Sequence, residues 1–267
     1  MRHLLIVASL GLGLLGSGCT PRPRSPLAQA ASRNHADTVK SLLAAARPTA
    51  VGADELHGAL IWAARSGAAD GIAVLVSAGA DVDGRDAGGN HWSPLQHAVH
   101  TQQPRAVRAL LEWGADPNAF DPGGGTVLFM AADSLDPAMV SLLLDAGANP
   151  RAPGPDGRTA LTQAVSGGAL WDLTDRPLLG GCRTATVRAL LDSDPDLTIP
   201  DTPAGHQAIW WARVHDCDEV LALVGARPTL PGQKIVGAVG FIREVIGVPT
   251  PKDVLRGRRA TGDQSRR

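Results

Sequence analysis

The sequence predicts an all-α solenoid: about six helix–turn–helix units stacked along one axis and closed by a C-terminal capping helix. A first pattern recurs as Ser25-Pro-Leu-Ala-Gln-Ala30, Gly58-Ala-Leu-Ile-Trp-Ala63, Ser93-Pro-Leu-Gln-His-Ala98, Thr126-Val-Leu-Phe-Met-Ala131, Thr159-Ala-Leu-Thr-Gln-Ala164 and Gln207-Ala-Ile-Trp-Trp-Ala212. Its start-to-start steps are 33, 35, 33, 33 and 48 residues. A second pattern follows each copy: Val39-Lys-Ser-Leu-Leu43, Ile72-Ala-Val-Leu-Val76, Val107-Arg-Ala-Leu-Leu111, Val140-Ser-Leu-Leu-Leu144, Val187-Arg-Ala-Leu-Leu191 and Val220-Leu-Ala-Leu-Val224. Closing triplets stand at Gly79-Ala80-Asp81, Gly114-Ala115-Asp116 and Gly147-Ala148-Asn149. Self-similarity at this period marks a repeat architecture.

Each unit has a physical logic. Ser or Thr followed by Pro is a helix cap and a first-turn proline. The Leu of the first pattern and the Ala three places on share one helix face, and the small Ala lets a paired helix approach closely. Val followed by Leu-Leu at +3 and +4 is the apolar stripe of a second helix. A glycine then ends that helix in a left-handed turn, and Asp, Asn, Pro and Gly fill the connection. No unit can bury its stripe alone, so neighbours must stack.

The chain begins with a different signal. Arg2 supplies a positive start, and Leu4 to Leu15 is apolar except for Ser9, Gly11 and Gly13. About 20 apolar residues are needed to span a bilayer, so residues 1–18 are expected to be an export signal rather than a span. The run meets Leu15-Gly16-Ser17-Gly18-Cys19. This junction resembles the bacterial lipoprotein signal, departing from it in having Gly16 where that family has Leu. The resemblance implies lipidation of Cys19, and several acyl chains on one residue would anchor the protein stably. Thr20, where Asp would retain such a protein at the inner membrane, implies the outer membrane facing the periplasm. Residues 19–26, with Pro21, Pro23 and Pro26 beside Arg22 and Arg24, form an extended tether.

From residue 25 to about 232 the patterns and their period resemble the ankyrin repeat. That family's fold is helix pairs in an L-shaped stack with finger-like loops between repeats. The first and last copies are degenerate, as capping units are: the first ends in Ala44-Ala-Ala-Arg-Pro48 and the last in Gly225-Ala226-Arg227. The 48-residue step holds an insertion of about 14 residues, roughly 170–183, between the two helices of the fifth unit. Beyond the stack, apolar residues at 235, 236, 239, 242, 245 and 246 suit an amphipathic helix, placed within 233–250, that seals the last unit. Residues 251–267 form a basic, polar tail expected to be disordered.

Composition narrows the function. A formal net charge of −1 argues against a nucleic-acid partner, which calls for a clustered basic face. Three cysteines exclude a disulfide-dense scaffold. No nucleophile elbow, Walker loop, HExxH or paired-cysteine metal motif occurs, so neither catalysis nor a cofactor is expected. The Gly-rich Asp121 to Thr126 lacks the Lys of a phosphate loop and reads as an inter-repeat finger. His91, His97 and His100 are close in sequence, and His97 and His100 share a helix face where both could meet a metal. A polar concave face is the stronger reading, and no metal is expected. Asp133 and Asp136 read as surface positions rather than a catalytic pair. With Cys19 lipidated, Cys182 and Cys217 are the remaining thiols. Both fall between the two helices of adjacent units, so a bridge pinning the insertion to the last unit is expected in an exported protein.

The ankyrin resemblance implies a binding protein whose partners meet the finger tips and the concave ends of the first helices. Those positions map here to His57, Trp92 and Arg158 before the caps, and to Arg65, Ser66, His100, Thr101, Asp133, Ser134 and Ser166 after the small pairs. The fingers add Arg85, Asp86, Phe120, Asp121 and Arg151, and Trp171 on the insertion marks a second face. Trp92, Arg65 and Phe120 lead as energetic anchors. Trp62, Trp113, Trp210 and Trp211 are expected to pack between helices. The expected protein is monomeric when unbound, held to the membrane through Cys19, and binds another protein. Small ankyrin lipoproteins resembling it serve as immunity partners of secreted toxins such as phospholipase effectors, and the other reading is a periplasmic scaffold for an envelope enzyme.

Overall fold

The computed structural model describes residues 23, 25–45, 51–87, 90–133, 136–167 and 181–227. The expected export signal, Cys19, most of the tether, Ser134, Trp171 with most of the insertion, the capping helix and the basic tail lie outside the described residues.

Twelve α-helices form six pairs among those residues: α1 (Pro26–Ser32) with α2 (Ala36–Ala45), α3 (Ala53–Ser66) with α4 (Ala69–Ser77), and α5 (Pro94–His100) with α6 (Pro104–Glu112). The series continues with α7 (Val127–Ala132) and α8 (Pro137–Asp145), α9 (Ala160–Ser166) and α10 (Thr184–Ser193), then α11 (Pro203–Val214) and α12 (Asp218–Leu223). First helices pack on first helices of the adjacent units, and second helices on second helices. No strand occurs among the described residues, only an isolated bridge between Phe120 and Thr126. No described helix is long and apolar enough to cross a membrane.

Helices this short are marginal in water, so packing must hold them. Their starts are capped as their sequences dictate. Ser25, Thr126 and Thr202 each accept a hydrogen bond from a first-turn amide. Ser93 with Gln96 and Thr159 with Thr162 form reciprocal capping boxes. The turn inside five of the units carries a left-handed residue, Asn34, Gly67, Gln102, Gly167 or Asp216. In four of them the next amide reaches back to the first helix: His35 to Ala30, Ala68 to Ala63, Gln103 to Ala98 and Cys217 to Ala212.

The core is the repeat pattern made solid. Val39, Ile72, Val107, Val140, Val187 and Val220 are each at most 1% exposed. Ala63, Ala98, Ala131, Ala164 and Ala212 form the close-approach row of the first helices and are buried equally well. Between units, side chains and amides form a polar ladder: the Asp116 amide donates to Asp83 (3.0 Å) and the Asn149 amide to Asn118 (2.8 Å).

The structure departs from the pattern in three places. Helix α3 begins at Ala53, capped by the Gly52 backbone with Asp54 and Glu55 in its first turn. Helix α11 begins at Pro203 behind Thr202, a turn before Gln207. In both, a competent start stands upstream of the repeated motif, and the helix takes it. Trp113 does not pack between helices: it follows the last turn of α6, where the chain turns away from the core, and is 43% exposed.

Candidate binding face

The first-helix face of the second and third units gathers most of the expected anchors. Trp62 and Arg65 stand one turn apart on α3, and the Arg65 guanidinium lies over the Trp62 ring, 5.0 Å from its centroid. On α5, the Trp92 ring meets His97 edge-on at 5.4 Å and tilts against His100 at 4.8 Å. The Ser93 cap starts α5 directly after Trp92, which holds that indole above the helix that carries both histidines.

Beneath the indole, His97 Nε2 and Asp86 Oδ2 are 2.6 Å apart, and both side chains are largely buried. Burial pushes the His97 pKa below its ordinary value; the Asp86 carboxylate opposes this, while Arg65 and His100 add to it. His97 is therefore neutral near pH 7, and because a carboxylate only accepts, its Nε2–H donates to Asp86. The pair fixes the finger that carries Asp86 to helix α5, which begins directly after Trp92.

Several expected contact residues are occupied by the fold. Arg85 donates to the His91 carbonyl (3.0 Å) and the Phe120 carbonyl (2.7 Å), tying two fingers together. Asp121 accepts from the Gly125 amide at 2.9 Å, and a Cβ on Gly125 would come within 2.8 Å of that carboxylate. Arg151 clasps Asp194 with two hydrogen bonds, and this bond holds the Asp194 carboxyl below its usual range. Arg158 lies over Phe129 at 5.4 Å. The Ser66 and Thr101 hydroxyls donate to carbonyls of their own helices. Phe120 remains open to solvent, 45% exposed.

Two positions need correction. Ser166 is buried and donates to the Gln163 carbonyl, because the insertion returns at Gly181 against the end of α9. His57 does not precede a cap. It lies within α3, whose early start carries it inward, and both its ring nitrogens are buried without a hydrogen-bond partner.

At the other end, Cys182 and Cys217 are joined by a disulfide, with their Cα atoms 5.3 Å apart. Sequence reasoning missed the neighbouring Arg183. Its guanidinium is buried, donates to the carbonyl of Asp133 at the end of α7, and approaches the Asp133 carboxylate at 3.4 Å. Gln163 donates to the same carboxylate at 3.1 Å. Burial lowers the Arg183 pKa, against the pull of Asp133. Nothing at the Arg183 position in the linear pattern announces this, since the insertion breaks the repeat there.

Among the described residues, no group of three or more His, Cys, Asp or Glu could hold a metal ion. A family model described as ankyrin repeats (3 copies) matches the chain over residues 4–86 and 27–121. No curated protein matches it at significant similarity. Ankyrin repeats are found over residues 4–121, and the described helix pairs stack as an all-α repeat solenoid, an architecture that indicates a protein–protein interaction module.

Proposed function

We propose that this protein is a membrane-anchored periplasmic binding protein that uses the first-helix face of its second and third repeats to hold a partner protein. The observation that carries the reading is the Trp62–Arg65 stack beside the Trp92–His97–His100 cluster. Aromatic and arginine side chains held in place by their neighbours are the usual energetic anchors of protein interfaces. Trp92 is held against two histidine rings, one of them hydrogen-bonded to Asp86, before any partner arrives, which lowers the ordering cost of binding. The location rests on the Gly16-Ser17-Gly18-Cys19 junction and its resemblance to lipoprotein signals. The narrower form of the proposal is an immunity protein that neutralises a secreted toxin at the membrane face. It rests on the resemblance to small ankyrin lipoproteins of that role.

The test is a cross-linked pull-down from the envelope with the full-length protein, its Cys19 intact, read by mass spectrometry. A dominant secreted hydrolase or toxin, lost on Trp92→Ala, supports the immunity form. Resident envelope proteins would favour a scaffold and end the toxin reading. In parallel, Cys19→Ser should move the protein from the membrane to the soluble fraction, and unchanged membrane association would remove the lipid anchor.

A further inference from the structure

Among the described residues, Arg65 stands apart from the other arginines drawn into the surface. Arg158 reaches the Pro155 carbonyl and the Asp156 carboxylate. Arg183 reaches Asp133, and Arg213 the Arg227 carbonyl. Arg65 is half-buried, lies on the Trp62 ring, and has no oxygen partner among the described residues. A guanidinium stacked by its face keeps the N–H groups of its edge free, in the fork that matches a carboxylate.

Among the described residues, no carboxylate forms a hydrogen bond or ion pair with it. Asp86 is engaged with His97, and Asp133, at the matching position of the fourth unit, is engaged by Gln163 and Arg183. An incoming carboxylate would meet a guanidinium already oriented by an indole, and the resulting hydrogen bond would be charge-assisted.

We propose that Arg65, laid on Trp62 beside the Trp92 cluster, is a carboxylate-binding position that receives an Asp or Glu side chain of the partner protein. The partner segment that crosses this face is acidic where it meets α3. The inference rests on the reading of this face as a protein-binding surface.

The experiment is an NMR titration of the isotopically labelled protein with N-acetyl-glutamate α-amide, whose side chain carries the only carboxylate, at constant ionic strength. The expected result is a saturable shift of the Arg65 Nε–H and of the Trp62 and Trp92 indole N–H signals. N-acetyl-glutamine amide should leave them unmoved. Arg65→Gln should weaken the interaction about tenfold or more, while Arg65→Lys keeps part of it. The unchanged signals of the other tryptophans report that each variant is folded. Linear, unsaturable shifts, or equal binding by Arg65→Gln, would overturn the proposal. So would inorganic phosphate acting on the same signals more tightly than the carboxylate. A pull-down partner retained by Arg65→Gln but lost on Trp92→Ala would overturn this inference and leave the binding face standing. A wild-type pull-down that captures nothing would count against the binding face alone.

Discussion

Asp86 and His97 meet at 2.6 Å beneath Trp92, joining the finger between the second and third repeats to the first helix of the third. Burial of His97 at this contact makes the binding face sensitive to acid, and Asp86 works against that effect. The His97 pKa is lowered in the folded protein, mainly by burial, so between the folded and unfolded values the unfolded chain binds more protons. The stability contributed by neutral His97 is present above the ordinary histidine pKa and is lost as pH falls below it. His215, stacked on Trp211 and lowered by burial and by Arg183, acts in the same direction. Denaturant unfolding should show stability falling from pH 7 to pH 5, with a shallower slope in His97→Gln. An unchanged slope would remove His97 as a source.

Asp86→Ala should leave the buried Nε2–H of His97 without its acceptor and cost about 1–3 kcal/mol. It should also loosen Trp92, visible as a shift of its indole signal. A cost indistinguishable from zero would mean that water replaces the carboxylate without penalty.

The Cys182–Cys217 disulfide closes a loop with a sequence separation of 35 and fastens the last repeat to the fifth. In the chain-entropy account, a loop of this length contributes about 3–4 kcal/mol. Cys182→Ser, at an exposed position, should lower stability by that amount and make the wild type's response to reductant disappear. Two reactive thiols in the unreduced protein would exclude the bridge.

Arg183→Met should destabilise by about 2–3 kcal/mol, because it leaves the Asp133 carbonyl without its charged donor. Unfolding should begin at the fifth and sixth repeats, and hydrogen exchange resolved by segment should show α9 to α12 opening before α3 to α6. Uniform protection across the stack would contradict this.

Leu143 is fully buried in the middle of the stack, so Leu143→Ala should cost about 2–5 kcal/mol. The half-buried Leu43, in the first repeat, should cost less on the same change, since among the described residues no further unit packs on the outer side of that repeat. Equal costs would mean that the first repeat is covered as well as the centre.

Much of the fold was legible because repeat positions are local. The Val, Leu and Ala rows follow from helix periodicity, and Ser93, Thr126 and Thr159 announce their helices by cap chemistry alone. Reading failed where a second local signal competed. Gly52 with Asp54 and Glu55 started α3 early and carried His57 inward, and Trp113, in register with the helix but past its last turn, lies exposed among the described residues.

What the sequence determined by itself is the repeat, its period, the helix pairs and the residues that make the shared core, since each depends on neighbours within one or two turns. Only the tertiary structure decided which polar side chains remain available to a partner. Arg85 is taken by a carbonyl 35 residues away, Arg183 by one 50 residues away, and Asp86 by a histidine 11 residues away, whereas Arg65 is left on its tryptophan. Those pairings depend on how adjacent repeats bring distant groups within 3 Å of one another, and side-chain hydrogen bonds form only at that range.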